Sequence, residues 1–272
     1  MSEANTVSGE KRVTTYLSVV IPAYNEEKRL PETLKSVVAF LSKQKYSSEI
    51  IVVDDGSKDK TIEVARAAVQ AANVNPGAAT GIQKYEVAQY PDRVNRGKGY
   101  AVRYGLVQAV GKYRVFMDAD NSTTIDHVDR FFPLFKEKNY DVVIGSRHLS
   151  DSDVEVHQPW IKELAGQMGN ILIRIIAVRG IHDTQCGFKM FTGRAVETIC
   201  PRLTIDRWGF DVEILAVAQR LGFKIKEAPV VWLNDPNSRV SVKAYVEVLG
   251  EVFRIRRNIW RKTYDDPFYP TI

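Results

Sequence analysis

The sequence predicts an α/β fold, with a mostly parallel sheet flanked by helices. Apolar runs rich in β-branched residues alternate with helical patterns over residues 16–147, which favours parallel β-α-β units. These runs are continuously apolar rather than alternating, which is typical of a sheet that is covered on both faces. Polar clusters follow the runs where the strands should end, and such sheets bind ligands beyond the carboxyl ends of their strands.

The strands are predicted from the apolar runs and from the residues that end them. The first lies within 16–27 and ends at Pro22, and the second lies within 49–57 and ends in two acidic residues and Gly56. The remaining predicted strands lie at 85–90, 113–120 and 140–147.

Helices are predicted between these strands from the spacing of their apolar residues. Over 31–44 the apolar residues recur at helical spacing, and Pro31 suits a first turn. Ser57 or Asp59 is the predicted cap of the helix that follows. The other predicted helices lie at 60–72, 99–110 and 125–138.

The chain has 272 residues, 44% hydrophobic and 26% charged, which is ordinary for a globular protein. We predict a disordered tail at 1–15, a single domain at 16–240, and a C-terminal amphipathic helix and tail at 241–272. No signal peptide or membrane-spanning run is expected. The two cysteines lack metal-binding spacing, and a reducing compartment is expected.

The formal net charge is +5. A moderately basic balance suits an anionic partner such as a nucleotide, a phospholipid surface or a nucleic acid. Over this length, such a charge could also carry no functional meaning.

Two aspartates end the fourth strand, in the stretch VFMDADNST. Asp118 and Asp120 are separated by one small residue, and two carboxylates this close repel unless they share a positive charge. Mg²⁺ or Mn²⁺ would satisfy both, and Mg²⁺ usually completes its shell with water and substrate phosphates. The alternative is a solvated turn at the end of a strand.

The other strand ends carry further polar clusters. Residues 24–26 offer an aromatic face and polar side chains for a base and a ribose, and Asp54 and Asp55 could accept hydrogen bonds from either. Residues 95–99, NRGKG, permit close backbone approach and add two cations near a helix start. Each cluster alone could be a plain turn or helix cap.

The motifs VVIPAYNEE, IIVVDDGSKDKT, NRGKGYAVRYG, DADNST and VVIGSRH resemble those of family 2 glycosyltransferases with the GT-A fold, over roughly residues 16–245. NRGKG followed by DTQCGFKMF is similar to the branch that acts on polyprenyl phosphates. The resemblance implies a GT-A (Rossmann-like) domain that moves a hexose, expected from UDP-glucose, onto dolichyl or another polyprenyl phosphate.

The resemblance also implies roles for individual positions. The residues that would hold the nucleoside are Pro22, Tyr24, Glu26 and Asp55, with Asp54 beside them. Lys98 would lie near the phosphates or the donor sugar, and Asp118 and Asp120 would form the D-x-D motif, with Asp120 on the metal. The acceptor phosphate would face Arg147 and Ser146. Ser238 and Arg239 match a loop that closes over the diphosphate.

The expected chemistry follows from charge. An acceptor phosphate is already an anionic nucleophile, so it needs positioning and charge screening rather than a strong base. Arg147 suits this, because a guanidinium binds phosphate in a bidentate manner. Asp211 and Glu213 lie where hydroxyl-directed relatives carry their base, and we expect them to bind the donor sugar or to position a cation. The alternative is an acidic helix N-terminus.

Two amphipathic segments, 159–180 and 243–262, could lie on a membrane surface, although each could instead be a core-packed helix. The expected location is therefore cytoplasmic and peripheral on a membrane, with no nucleic-acid partner. Two alternatives stay open: a glycosyltransferase that acts on a saccharide hydroxyl, and a non-catalytic module that binds nucleotides or nucleic acid.

Overall fold

The computed structural model describes residues 14–72, 74–147, 149, 153–154, 173, 176–233 and 242–267. Its strands are β1 (Leu17–Ala23), β2 (Ser47–Asp54), β3 (Gly81–Gln89), β4 (Tyr113–Met117), β5 (Val142–Ser146), β6 (Asp153–Val154), β7 (Phe188–Thr192), β8 (Ile225–Pro229) and β9 (Val231–Trp232). Its helices are α1 (Leu30–Leu41), α2 (Thr61–Ala71), α3 (Lys98–Gln108), α4 (Val128–Lys138), α5 (Gly193–Ile199), α6 (Phe210–Arg220) and α7 (Val242–Trp260).

A seven-stranded sheet forms the centre of the described residues, in the order β3-β2-β1-β4-β7-β5-β8. All its pairings are parallel except those of β7, which runs antiparallel to both β4 and β5. The short strands β6 and β9 pair separately. The predicted mostly parallel sheet with flanking helices is confirmed.

The sheet buries apolar side chains on both faces, which explains its continuously apolar strands. Val20, Ile51 and Phe116 pack toward α3, α5, α6 and α7, in one of the two core clusters. Their neighbours Val19 and Ile50 pack on the opposite face, toward α1, α2 and α4. Neighbouring residues of one strand point to opposite faces, so each strand supplies both clusters.

The first strand does not end at Pro22, as the sequence had indicated. It continues to Ala23, and Pro22 lies opposite Val53 of β2. The pairing with β4 stops at Val20, so the proline lies beyond the last register pair with that neighbour. A proline donates no backbone hydrogen bond, and this position tolerates that loss.

The elements of the second half that were not predicted include the strands β6, β7, β8 and β9 and the helix α5. The run FKMFT of β7 is short and contains Lys189, which obscured the strand pattern. Because β7 is antiparallel, its amino end lies at the edge where the parallel strands have their carboxyl ends. The turn at 182–187 is therefore brought to that edge.

Glu213, in the first turn of α6, connects Tyr264 to the core through hydrogen bonds. Its carboxylate accepts hydrogen bonds from the Ile205 N–H at 2.9 Å and from the Tyr264 hydroxyl at 2.8 Å. We expected Glu213 to bind the donor sugar or to position a cation. The structure instead places it fully buried in this network, because on a helix it faces a different side from Asp211 two residues earlier.

Candidate active site

Predicted site residues that follow four of the strands meet at one edge of the sheet. β1, β2, β4 and β5 all have their carboxyl ends there, as Tyr24, Asp55, Asp118 and Arg147 follow them in the chain. This confirms the prediction that the polar clusters share one edge.

The loop after β1 forms part of a cleft of about 400 Å³, which is lined by residues 25–29, Lys58 and Asp59. Its size is in the range of small-ligand sites. Tyr24, at the start of the loop, is 38% exposed. Pro22 is buried in β1, and the Glu26 carboxylate pairs with the Arg29 guanidinium.

Asp54 and Asp55 are both buried at the end of β2. The Asp55 carboxylate accepts hydrogen bonds from the N–H groups of Arg96 at 2.8 Å and Gly97 at 2.9 Å. Burial raises the pKa of Asp55, and these two N–H groups oppose the shift. Asp54 accepts a hydrogen bond from the Ser57 N–H at 3.2 Å. Asp55 therefore holds the loop before α3 in place.

Asp118 and Asp120 lie just beyond β4, with side chains that are 31% and 22% exposed, so both are open to a ligand. Asp118 Oδ1 lies 2.6 Å from Lys98 Nζ. Asp120 Oδ1 accepts a hydrogen bond from the Ser122 N–H at 3.0 Å, and its Oδ2 lies 4.0 Å from Arg29 Nη1. Gly187 packs on Asp118 so closely that an added Cβ would lie 2.0 Å from Oδ2.

The glycine-rich turn NRGKG brings α3 close to α6. An added Cβ at Gly99 would lie 2.6 Å from the Cβ of Phe210, and Lys98 Nζ lies 5.9 Å from the centre of the Phe210 ring. We expected two cations from this turn at the site. Only Lys98 reaches the acidic pair, because the Arg96 guanidinium pairs with Asp92 at 2.7 Å.

Asp211, in the first turn of α6, is buried beside two lysines. Its carboxylate bonds to the ammonium group of Lys189, which also donates to the Cys186 carbonyl at 2.6 Å. Burial raises the pKa of Asp211, and the charges of Lys189 and Lys98 oppose that shift. For Lys98, burial disfavours the ammonium form, but Asp118 and Asp211 outweigh it and raise the pKa.

Arg147 follows β5 and is held by Asp183, which is fully buried. Its backbone N–H, Nε and Nη2 donate to the Asp183 carboxylate at 3.0, 2.8 and 2.9 Å. The guanidinium also lies 5.2 Å from the centre of the Trp232 ring. Ser146 is fully buried in β5. Asp183 thus occupies the edge of the guanidinium that carries Nε and Nη2, and the binding of an acceptor phosphate by Arg147 stays a prediction.

Several predicted features lie outside the described residues. Ser238 and Arg239 fall in the range 234–241, which is not described. Most of the segment 159–180 also lies outside the described residues. Within the described ranges, no helix is long and apolar enough to cross a membrane.

Sequence reasoning missed four residues of this edge: Asp183, Gly187, Lys189 and Trp232. Three of them belong to the stretch DTQCGFK, which had served only as part of the family resemblance. A lysine in an apolar run is a signal of a buried ion pair, since an unpaired charge is rarely buried. The sequence does not show which carboxylate would pair with it.

The fold is shared with solved glycosyltransferases. Glucosyl-3-phosphoglycerate synthase from Mycobacterium tuberculosis, solved with Mn²⁺, UDP-glucose and phosphoglyceric acid, matches with a TM-score of 0.63. The two are 20% identical, over 89% of this chain and 80% of that one. This likeness shows the fold, which is of the GT-A type.

Sequence comparisons define the family. The model of glycosyl transferase family 2 matches residues 18–199, and the chain belongs to that family. A dolichyl-phosphate beta-glucosyltransferase from Dictyostelium discoideum is 36% identical over 260 residues, covering 90% of this chain and 76% of that protein. The dolichyl-phosphate beta-glucosyltransferase of Homo sapiens is 34% identical over 237 residues, covering 84% of this chain and 70% of that protein.

Proposed function

We propose that this chain transfers glucose from UDP-glucose to dolichyl phosphate or another polyprenyl phosphate, with a divalent cation at Asp118 and Asp120. The chain is a hexosyltransferase, and its relatives named dolichyl-phosphate beta-glucosyltransferase support the sugar and the acceptor. The Mn²⁺ and UDP-glucose bound to the solved synthase support the cation and the donor.

The observation that carries the proposal is the charge balance at the sheet edge. In the described part of that edge, four carboxylates each pair with a base: Glu26 with Arg29, Asp118 with Lys98, Asp183 with Arg147, and Asp211 with Lys189. Asp120 lies 4.0 Å from Arg29, which already pairs with Glu26. Asp120 thus shares the Arg29 cation with Glu26, and a diphosphate placed beside Asp120 would be repelled unless a further cation entered with it.

The residues fit Mg²⁺ or Mn²⁺. Mg²⁺ uses one or two carboxylates and takes its other ligands from water and substrate phosphates, and both aspartates are partly exposed. The described residues contain no group of three or more metal-ligating side chains, which agrees with a site that the donor completes. Asp120 would hold the cation, and Asp118 would join it when Lys98 moves away. A bound cation would neutralise charge on the leaving diphosphate.

The transfer needs no strong base. An oxygen of the acceptor phosphate forms a bond to the anomeric carbon, while the bond from that carbon to UDP breaks and UDP leaves with the electron pair. In-line attack inverts an α-linked donor to a β-linked product. The acceptor phosphate is already anionic at neutral pH, since its second pKa is about 6. Asp211 is paired with Lys189 and so is not placed to act as a base, which agrees with a transfer that needs none.

Attachment to the cytoplasmic face of a membrane is also part of the proposal. On α7, Phe253 and Trp260 are 62% and 81% exposed and lie seven residues apart, so they share one face of the helix. Arg256 and Arg257 are exposed between them. Aromatic and basic side chains on one helical face suit an anionic lipid surface.

A transfer assay tests the proposal. Purified protein, Mn²⁺ or Mg²⁺ and a short polyprenyl phosphate are mixed with radiolabelled UDP-glucose, UDP-N-acetylglucosamine or GDP-mannose. We expect label in the organic phase from UDP-glucose only, and its loss with chelator or with Asp120→Asn. Asp126→Asn, at an exposed aspartate six residues further on, is the control and should keep activity. No lipid label from any donor would overturn the acceptor, and saccharide acceptors would be tried next.

A further inference from the structure

Four charged side chains of alternating sign run from the interior to the acidic pair. Lys189 is fully buried in β7, where it lies between Phe116 of β4 and Ile144 of β5. Its ammonium group bonds to Asp211, and Lys98 bonds to Asp118 at 2.6 Å. Lys98 Nζ also lies 5.9 Å from the centre of the ring of Phe210, the residue before Asp211. Burial lowers the pKa of Lys98, and the Asp211 charge raises it. The order is therefore Lys189, Asp211, Lys98, Asp118.

The interior end of this row is buried, and the outer end is partly exposed. Lys189 Nζ is held by the Cys186 carbonyl at 2.6 Å as well as by Asp211, and neither side chain of that pair is more than 6% exposed. The Lys98 side chain is 25% exposed and its ammonium group pairs with the Asp118 carboxylate. A cation that binds Asp118 must compete with Lys98 for that carboxylate.

We infer that Lys189 is a positioning residue that neutralises Asp211 and so leaves Lys98 free to exchange Asp118 for the donor diphosphate. The inference rests on the proposed function. Without Lys189, Asp211 would be a buried anion with Lys98 as its nearest cation. Lys98 would then turn inward onto Asp211, release Asp118 and become less available to the diphosphate.

Two binding measurements on the full chain test this. Calorimetry gives the affinity for Mn²⁺ without nucleotide, and the affinity for UDP at saturating Mn²⁺. In Lys189→Met we expect Mn²⁺ to bind as well as in the wild type or better, while UDP binds about threefold more weakly or worse. A merely structural defect would weaken both. In Asp211→Asn we expect weaker Mn²⁺ binding, because Lys98 then has Asp118 as its main partner.

The double variant Lys189→Met/Asp211→Asn removes both interior charges and should bring the UDP affinity back to within about twofold of the wild type. Arg114→Met is the matched control: it removes another buried cation, paired with Glu197 at 2.6 Å, near the opposite edge of the sheet. It should leave both affinities unchanged. If Lys189→Met does not fold, two other measurements still test the inference. They are the Mn²⁺ affinity of Asp211→Asn, which should fall, and the UDP affinity of the double variant.

Two results would overturn the inference. One is an unchanged UDP affinity in Lys189→Met. The other is a loss of both affinities that the double variant does not reverse. Neither measurement involves the acceptor. A wild type that binds Mn²⁺ and UDP, shows these effects and transfers nothing to lipid would overturn the proposed acceptor alone. A wild type that binds neither ligand would overturn both.

Discussion

Replacing Asp183 by Asn tests how strongly the sheet edge holds Arg147. The carboxylate is fully buried and accepts three hydrogen bonds from Arg147. An amide of the same shape keeps one oxygen. That oxygen can accept hydrogen bonds from the backbone N–H and Nε of Arg147. The NH₂ group of the amide then faces Arg147 Nη2, which is also a donor.

The magnitude follows from charge and exposure. Two unit charges about 4 Å apart at an effective dielectric constant of about 20 attract by roughly 4 kcal/mol. Removing one partner of a buried pair typically costs about 3–5 kcal/mol. The Arg147 side chain is 27% exposed, so water recovers part of that loss. We expect Asp183→Asn to lower the free energy of unfolding by about 2–3 kcal/mol.

Urea denaturation at neutral pH, followed by circular dichroism, measures the change. Asp92→Asn is the matched control, since Asp92 pairs with Arg96 at 2.7 Å on the surface. We expect no measurable change in that variant, because exposed pairs contribute little. If Asp183→Asn is no less stable than Asp92→Asn, then Arg147 is not held by a buried charge pair, and the reasoning about its fixed orientation fails.

Two further substitutions test local packing and a helix cap. Gly187→Ala would place a methyl group 2.0 Å from Asp118 Oδ2, so calorimetry should show Mn²⁺ affinity reduced by about tenfold or more. Gly250→Ala, where nothing lies within 4 Å, should leave it unchanged, and equal affinities would refute the packing argument. Burial raises the pKa of Asp59, but its hydrogen bonds from Thr61 outweigh this and the net pKa lies below 3.8. Its stabilisation is therefore present above pH 3.8 and is lost as pH falls below it. Asp59→Ala should cost about 1 kcal/mol in neutral urea titrations; a cost that persists at pH 2 would contradict the assignment.

The order of strands and helices up to residue 147 could be predicted, because each strand is a continuous apolar run and each helix has its own spacing. The shared edge also follows from sequence, since parallel strands with polar ends must align those ends. The D-x-D pair and Lys98 could be predicted as site residues because their motifs are local. These features depend on residues that are close together in the chain.

The features that were missed depend on contacts between distant parts of the chain. Lys189 and Asp211 are 22 positions apart, and Arg147 and Asp183 are 36 apart. No local pattern shows that these charges meet. Asp211 and Glu213 are alike in sequence, yet helix geometry sends one to the site and the other to Tyr264.

Strand β7 makes the two halves of the site mechanically dependent on one another. Its register against β4 sets where Gly187 meets Asp118, and its register against β5 sets how far Asp183 lies from Arg147. Because side chains alternate along a strand, a slip of one residue would also turn Lys189 to the opposite face. The proposed donor and acceptor positions therefore share one alignment, and a single deletion in this strand would disturb both together.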